Sequence, residues 1–417
     1  ITLLAPILML SENFDDHSRR YLSGAVDYAN NFLQSCEENA IIFTYGDNDT
    51  YPLWYAQEVE GIRTDVRVVN LSLLQVDWYI NQLRRKVNDS PPIKMSISPE
   101  AIRGYRRNQI PIVPKDQYIP LDRAVEFVGE SHPTPLAQGV EVASVFPSRR
   151  MFIPIDKQEV IRKGIVDIAD TARLVDRINI QLEGSSKLKD EIAILDIIAN
   201  NFPDRPIYWA VTVREQKLLG LDDYLEMEGL ALKLTPLKKT QNDGFENYSI
   251  YGKGTMDADR TLEIVRDKWK WGGFDKYDLF VDDSFGPSVQ SMRMVITRAA
   301  ENFLRQEEYD KAREIINIYF EAFPNMNFPY DQGTVPLIMN LFDAKGKEEG
   351  KKHLKILAEN ASEYIQFLNS LSPEVITNSY STENDIYAKR MKQQLPAIAA
   401  RYVGEDFAQE IEAILNS

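Results

Sequence analysis

The sequence has little cysteine and little histidine. Cys36 is the single cysteine among 417 residues, and the three histidines are His17, His132 and His353. One thiol excludes a disulfide framework and a cysteine-based zinc site. With so few imidazoles, most transition-metal centres are excluded as well. No uncharged stretch is long enough to cross a bilayer: ITLLAPILML, at residues 1–10, has about half of the roughly 20 residues a spanning helix needs. GxGxxG, the P-loop lysine pattern, GxSxG and HExxH are all missing, so the common dinucleotide, NTPase, serine-hydrolase and zinc-protease signatures are not available. A single thiol fits the cytoplasm, and equally a periplasmic domain that avoids cysteine.

Acid is what the chain has in excess. Sixty-three Asp and Glu against 48 Lys and Arg give a net charge of −15. A surface of that sign argues against nucleic acid or an anionic membrane as partner of the whole molecule, while leaving room for a local basic patch. Hydrophobic residues make up 44% and charged residues 27%, an ordinary globular balance. The length predicts two or three domains. No charged n-region precedes ITLLAPILML, so it does not read as an intact signal peptide. It reads either as a buried element or as the end of a membrane helix belonging to a longer protein.

The segment NAIIFTYG reads as a buried strand, YPLWYAQEVE as a helix opened by Pro52 and closed by Gly61, and DVRVVNLSLL as a second strand. Together they have the length of one βαβ unit with parallel strands. DWYINQLRRKV follows as a helix with Asp77 suited to its N-cap. RINIQLEG, KDEIAILDIIANNF, RPIYWAVTV and GLALKLTPL continue the strand and helix alternation. The expected fold is therefore α/β, an open and mostly parallel sheet drawn from residues 40–75 and 175–240, with a proline-rich insertion of loops and short elements at about 90–165. Residues 1–240 are thus expected to form the α/β domain; residues 241–289 read as a connection with a tight turn at Gly272-Gly273, and residues 290–417 as helical. Ala300, Phe303, Tyr309, Ala312, Ile316 and Pro324 fall at offsets that resemble a tetratricopeptide repeat.

Candidate chemistry gathers where strands give way to helices, the place where open α/β sheets bind ligands. Asp47, Asn48, Asp49 and Thr50 follow the first strand, with Trp54 on the helix behind them. Two carboxylates one residue apart, Asp47 and Asp49, would suit a divalent cation held by oxygen. The same residue types are also favoured in turns and caps, and both readings stand. Asp77 and Trp78 occupy the equivalent corner one strand over. If the two strands are neighbours, Asp47, Asp49, Asp77 and Trp78 would line one crevice, its aromatic faces suited to a sugar. Arg149 and Arg150, in the insertion, would bring positive charge to it. His17 lies in NFDDHSRR, where carboxylates, an imidazole and arginines crowd together. His353 sits on a charged helix and is expected to be solvated.

NFDDHSRR, the long run from Asn39 through GDNDTYPLWYAQEVEG to INQL, FIPIDK and LKDEIAILDIIANNFPDRPIYW together resemble one bacterial family. It is the former domain of unknown function 2723, now grouped as family 117 glycosyltransferases and similar to protein O-mannosyltransferases. The likeness spans roughly residues 5–240. It implies the soluble C-terminal region of a multi-pass membrane protein whose catalytic part, using a lipid-phosphate sugar donor, lies in the membrane region outside this chain. No catalytic residue can be carried over. The resemblance implies an inner-membrane parent with this domain on the periplasmic side, recognising a glycan or protein acceptor; the one cofactor expected is the divalent cation that Asp47 and Asp49 would suit. Two other expectations remain: an independent divalent-metal-dependent hydrolase or sugar transferase working at Asp47, Asp49 and Asp77, and a helical-repeat scaffold for protein partners.

Overall fold

A computed structural model of the chain describes residues 3–14, 20–113, 115–135, 141–239, 244–245, 247–372, 374–375 and 382–417. Two compact units emerge. One comprises Ala25–Lys270, the other Ile1–Gly24 together with Trp271–Ser417. The α/β unit thus continues past the break near 240 read from the sequence, because late strand and helix residues complete its sheet.

In chain order the elements are α1 (Leu4–Asn13), α2 (Gly24–Gln34), β1 (Ile41–Thr44), α3 (Asp47–Glu58), β2 (Arg67–Asn70), α4 (Asp77–Leu83), α5 (Pro99–Ile102), β3 (Gln109–Pro111), β4 (Ile119–Pro120), α6 (Leu121–Gly129), β5 (Thr134–Pro135), β6 (Glu141–Val142), β7 (Arg150–Pro154), α7 (Lys157–Arg162), β8 (Arg177–Gln181), β9 (Ser186–Leu188), α8 (Lys189–Asn201), β10 (Ile207–Ala210), β11 (Leu225–Glu228), β12 (Ala231–Leu234), β13 (Thr255–Met256) and α9 (Ala258–Asp267). The principal sheet has six strands in the order β13-β11-β12-β10-β1-β2. β1 runs parallel to both neighbours, with Ile42 opposite Tyr208 and Val68. β12 is antiparallel to β10 and to β11, and β13 is parallel to β11. Parallel pairings therefore outnumber antiparallel ones. IIFT, RVVN and IYWA are buried along their whole length. Continuous burial of this kind belongs to strands covered on both faces, and explains apolar runs without alternation.

The turn after α3 shows why the sequence stops there. Gly61 adopts a φ of 66°, and the chain folds back so that the Ile62 amide bonds to the Ala56 carbonyl at 2.9 Å. α8 is buried nearly all round. Its Asp196 accepts from the Ser96 amide and hydroxyl, both at 2.8 Å, and its Asn201 bonds to both backbone groups of Lys94. These side chains stitch the extended segment 94–97 onto the helix.

RINIQLEG does not join the principal sheet. As β8 it pairs with β7, the MFIPI stretch, which also pairs with β4. Ile178 and Ile180 are buried, whereas Arg177 and Gln181 are exposed. That alternation marks a strand solvated on one face, unlike those of the main sheet. The insertion also contains α6, unforeseen among its prolines. Leu121, Ala124, Val125 and Val128 form its buried face at helical spacing.

The other unit is helical: α10 (Gly286–Arg305), α11 (Tyr309–Ala322), α12 (Val335–Asp343), α13 (Lys347–Ser370), then Thr382–Tyr402 and Glu405–Leu415. α10 packs on α11, α12 on α13, and Thr382–Tyr402 on Glu405–Leu415, each pair across a connection of two or three residues. Ala300, Phe303, Ala312 and Ile316 are fully buried. The double glycine turn is present, with φ of 67° at Gly272 and 76° at Gly273. A Cβ on Gly272 would meet the Phe274 ring at 2.5 Å, so the position excludes larger residues. α1 behaves differently: Leu3, Leu4, Ile7, Leu8, Met9, Leu10 and Phe14 are all more than 60% exposed. No helix among the described residues is long and apolar enough to cross a membrane.

Candidate binding groove and acidic cavity

The GDNDT stretch forms the first turn of α3. Gly46, φ 87°, brings the chain out of β1. Asp47 and Asn48 are exposed there, whereas Asp49 and Thr50 are buried. The Thr50 hydroxyl donates to the Gly46 carbonyl at 2.7 Å and lies 2.7 Å from the Thr44 hydroxyl. Asn70, at the end of β2, donates to the same Thr50 oxygen at 3.1 Å. Asp49 turns the other way and accepts a hydrogen bond from the Thr212 hydroxyl beyond β10. One helix start thus ties together the C-terminal ends of three neighbouring parallel strands. Burial pushes the Asp49 carboxyl up to about 6, against the pull of the Thr212 hydroxyl and the Tyr45 amide. Arg214 lies over the Tyr45 ring, 4.8 Å from its centroid.

β1 and β2 are neighbours, as the crevice expectation required, but the carboxylates part company. Asp77 is the first residue of α4, not its cap. Its carboxylate accepts from the Trp78 amide and the Gly104 amide, each at 2.8 Å. Those amides hold its carboxyl below the usual carboxylate range. Asp49 is committed to Thr212, Asp77 to Gly104, and Asp47 faces solvent. A cation shared by Asp47 and Asp49 finds one exposed and one buried, hydrogen-bonded carboxylate.

The aromatic residues of the same two corners do converge. Trp54 of α3 and Trp78 of α4 face a groove of about 330 Å³ at the β2 edge, with Tyr79 and Leu73 beside them and Val66 and Val68 below. Trp78 is 57% exposed. Gln82 and Asn88 stand at the rim, and Asn88 donates to Glu58 at 2.8 Å. The cation beneath the groove, Arg67, is 5% exposed and spent on the carbonyls of Arg85, Ser90 and Pro91. The walls are therefore apolar and aromatic, and the rim is polar and mostly uncharged.

Arg149 and Arg150 are engaged in the smaller sheet. Arg149 donates to the Gly184 carbonyl at 2.7 Å. Arg150 lies 3.9 Å from Asp116 and over the Tyr118 ring. His17 falls outside the described residues. His353 is not solvated: it is 7% exposed, stacks on Phe320 with centroids 3.8 Å apart, and bonds to the Tyr330 hydroxyl at 3.0 Å. Of its charged neighbours in sequence, Lys352 is exposed, and Lys351 and Lys355 are half-buried.

A second cluster lies at the β13–β11 end of the principal sheet. Glu226 and Glu228 alternate on one face of β11, and Asp257 caps α9 by accepting from the Arg260 amide at 2.9 Å. One carboxylate oxygen from each lies within 4.8 Å of the others. They line a cavity of about 680 Å³ that also receives Glu37, Lys233 and Arg260. Such an all-oxygen set has the chemistry a hard divalent cation takes. Its charge is already partly answered: Lys233 lies 3.5 Å from Glu228, Arg173 lies 3.6 Å from Glu226, and the Tyr208 hydroxyl donates to Glu228 at 3.1 Å. Burial pushes Glu226 up to about 7 and Asp257 up to about 6, both above the ordinary carboxylate range. The signal available in sequence was the Glu-x-Glu of LEMEG; Asp257 joins it only through the pairing of β11 with β13.

Residues 25–259, more than half of the chain, match the family model described as TMEM260-associated domain 2. No curated protein and no solved structure matches the chain.

Proposed function

The chain belongs to the family of TMEM260-associated domain 2, and from that premise we propose that it is the extracytoplasmic recognition part of a membrane-bound glycosyltransferase, binding a glycan or glycan-bearing acceptor and leaving the transfer chemistry to a membrane region. The motif resemblance to family 117 glycosyltransferases supports the parent activity, an inner-membrane parent and a periplasmic location for this domain. The observation that carries the binding role is the groove between Trp54 and Trp78. The C–H face of a sugar ring is apolar and packs on an indole, while its hydroxyls bond to amides and hydroxyls at the edge. The helical unit, with its repeat-like Ala300, Phe303, Ala312 and Ile316, offers a tetratricopeptide-like surface for the protein part of an acceptor. α1, apolar on every side and exposed, fits the exit from a membrane region.

Calorimetry on the full chain with oligosaccharides tests this reading. Trp78→Ala should weaken binding about tenfold or more, as loss of a central aromatic contact does, with the circular dichroism spectrum unchanged. Equal affinity in wild type and in the Trp54→Ala/Trp78→Ala variant would sink it. A second reading, a divalent-metal-dependent hydrolase or sugar transferase, has one observation on its side: the convergence of Glu226, Glu228 and Asp257. Turnover by this chain alone, lost in Glu226→Gln, would favour it over the recognition role.

A further inference from the structure

The turn at residues 103–106 presents its side chains to solvent. Tyr105 is 92% exposed, and Arg103 and Arg106 on either side of it are exposed as well. Among the described residues neither arginine enters an ion pair; Arg106 spends one N–H on the Glu100 carbonyl at 3.1 Å.

The backbone beneath them is pinned from three directions. The Gly104 amide is fastened to Asp77 at 2.8 Å. Lys189, 2% exposed, donates to the Ile102 carbonyl at 3.0 Å and to the Gly104 carbonyl at 2.5 Å. Arg107, 8% exposed, donates to the carbonyls of Ala101, Val128, Gly129 and Glu130. Because Asp77 immediately precedes Trp78, the turn is fixed to the same helix start that supplies a wall of the groove.

A tyrosine ring held in water on a fixed backbone adds nothing to a core. It does give a ligand a rigid aromatic face at small entropic cost. Two guanidinium forks beside it, on a chain of net charge −15, select an anion, and a guanidinium meets a carboxylate or phosphate with two parallel hydrogen bonds. We propose that the glycan recognised by this domain is acidic: one sugar ring packs against the indoles, and a neighbouring residue lies on Tyr105 with its carboxylate or phosphate held by Arg103 and Arg106. The inference rests on the groove reading above and adds the charge class of the ligand.

The test is a glycan array of neutral, uronate-bearing and phosphorylated oligosaccharides, probed with the full chain, with R103Q/R106Q and with Trp78→Ala. Vesicles of phosphatidylglycerol form a separate arm. Wild type should favour acidic members over their neutral counterparts by about tenfold at low salt, with the preference shrinking in ~0.5 M salt. R103Q/R106Q should lose that preference and keep neutral binding, and Trp78→Ala should lose both. The uronate and phosphate members identify the acid group. Neutral binding without acidic preference overturns this inference and leaves the groove reading standing, whereas no binding to any member overturns both. Vesicle binding lost in R103Q/R106Q, with no acidic-glycan preference, assigns the turn to a membrane surface and overturns the proposal.

Discussion

The carboxylate of Asp49 accepts a hydrogen bond from the Thr212 hydroxyl, joining the start of α3 to the loop after β10. Burial raises this carboxyl to about 6 from an ordinary 3.8. The folded state therefore favours the protonated acid. Its stabilising contribution is complete below pH 3.8, declines as the pH rises, and is gone above about pH 6. The full swing is about 3 kcal/mol. Asp49→Asn should flatten this decline, read as amide-exchange protection of β1 between pH 4 and 7. An unchanged slope in the variant would mean that Asp49 titrates as it does in the unfolded chain.

His353 gives the helical unit the opposite dependence. Burial against Phe320 lowers the imidazole to about 4 from 6.5. The fold now favours the neutral base, so its contribution is full above pH 6.5 and is lost as the pH falls through 4. That loss is also about 3 kcal/mol. Exchange protection along α13 should fall between pH 6.5 and 4 in wild type and stay level in His353→Phe, at the cost of the Tyr330 hydrogen bond. If α13 loses protection equally in both proteins, His353 is not the titrating group.

These two residues also show what the sequence could reveal. NAIIFTYG and RPIYWAVTV were legible as strands because uninterrupted burial writes itself as an apolar run, and the corner after β1 followed from Gly46 and the helix behind it. The direction of a side chain at that corner was not legible. Asp49 and Asp77 were placed in one crevice by chain position, but Thr212 and Gly104, each contributed by a distant segment, draw them apart. His353 reads as solvated because its neighbours are lysines, yet it shares the buried face of α13 with Gly350, Leu354 and Leu357. Glu226, Glu228 and Asp257 stayed hidden because a parallel pairing of β11 with β13, some 30 residues away in the chain, assembles them.

Arg63 should prove one of the costliest single replacements in the α/β unit. Its guanidinium donates to the carbonyls of Leu33, Cys36 and Glu37 at 2.8–2.9 Å and pairs with Asp65 at 2.8 Å, closing the end of α2 against the β1–β2 corner. Arg63→Ala would leave three carbonyls and a half-buried carboxylate to find water, at about 2–4 kcal/mol. Arg63→Lys should recover only part of this, because an ammonium cannot span the fork. Urea unfolding measures both, and a loss below about 0.5 kcal/mol for Arg63→Ala would refute the bridging role.

Asp77 tests whether that corner binds or positions. Its two oxygens are taken by the Trp78 and Gly104 amides, which leaves it a fastening for the 103–106 turn and no direct role toward a ligand in the groove. Asp77→Ala should therefore speed exchange of the Gly104 amide and loosen the turn, while the neutral-sugar affinity of the Trp54–Trp78 groove stays within about twofold of wild type. Lys189 still holds the Ile102 carbonyl from below, so the unit keeps its fold. The acidic preference should fall, because Arg103 and Arg106 would sit on a backbone no longer fixed in place and would pay ordering entropy on binding. A variant that lost neutral-sugar binding as completely as Trp78→Ala, with the Gly104 amide still protected, would instead put the Asp77 carboxylate in contact with the sugar.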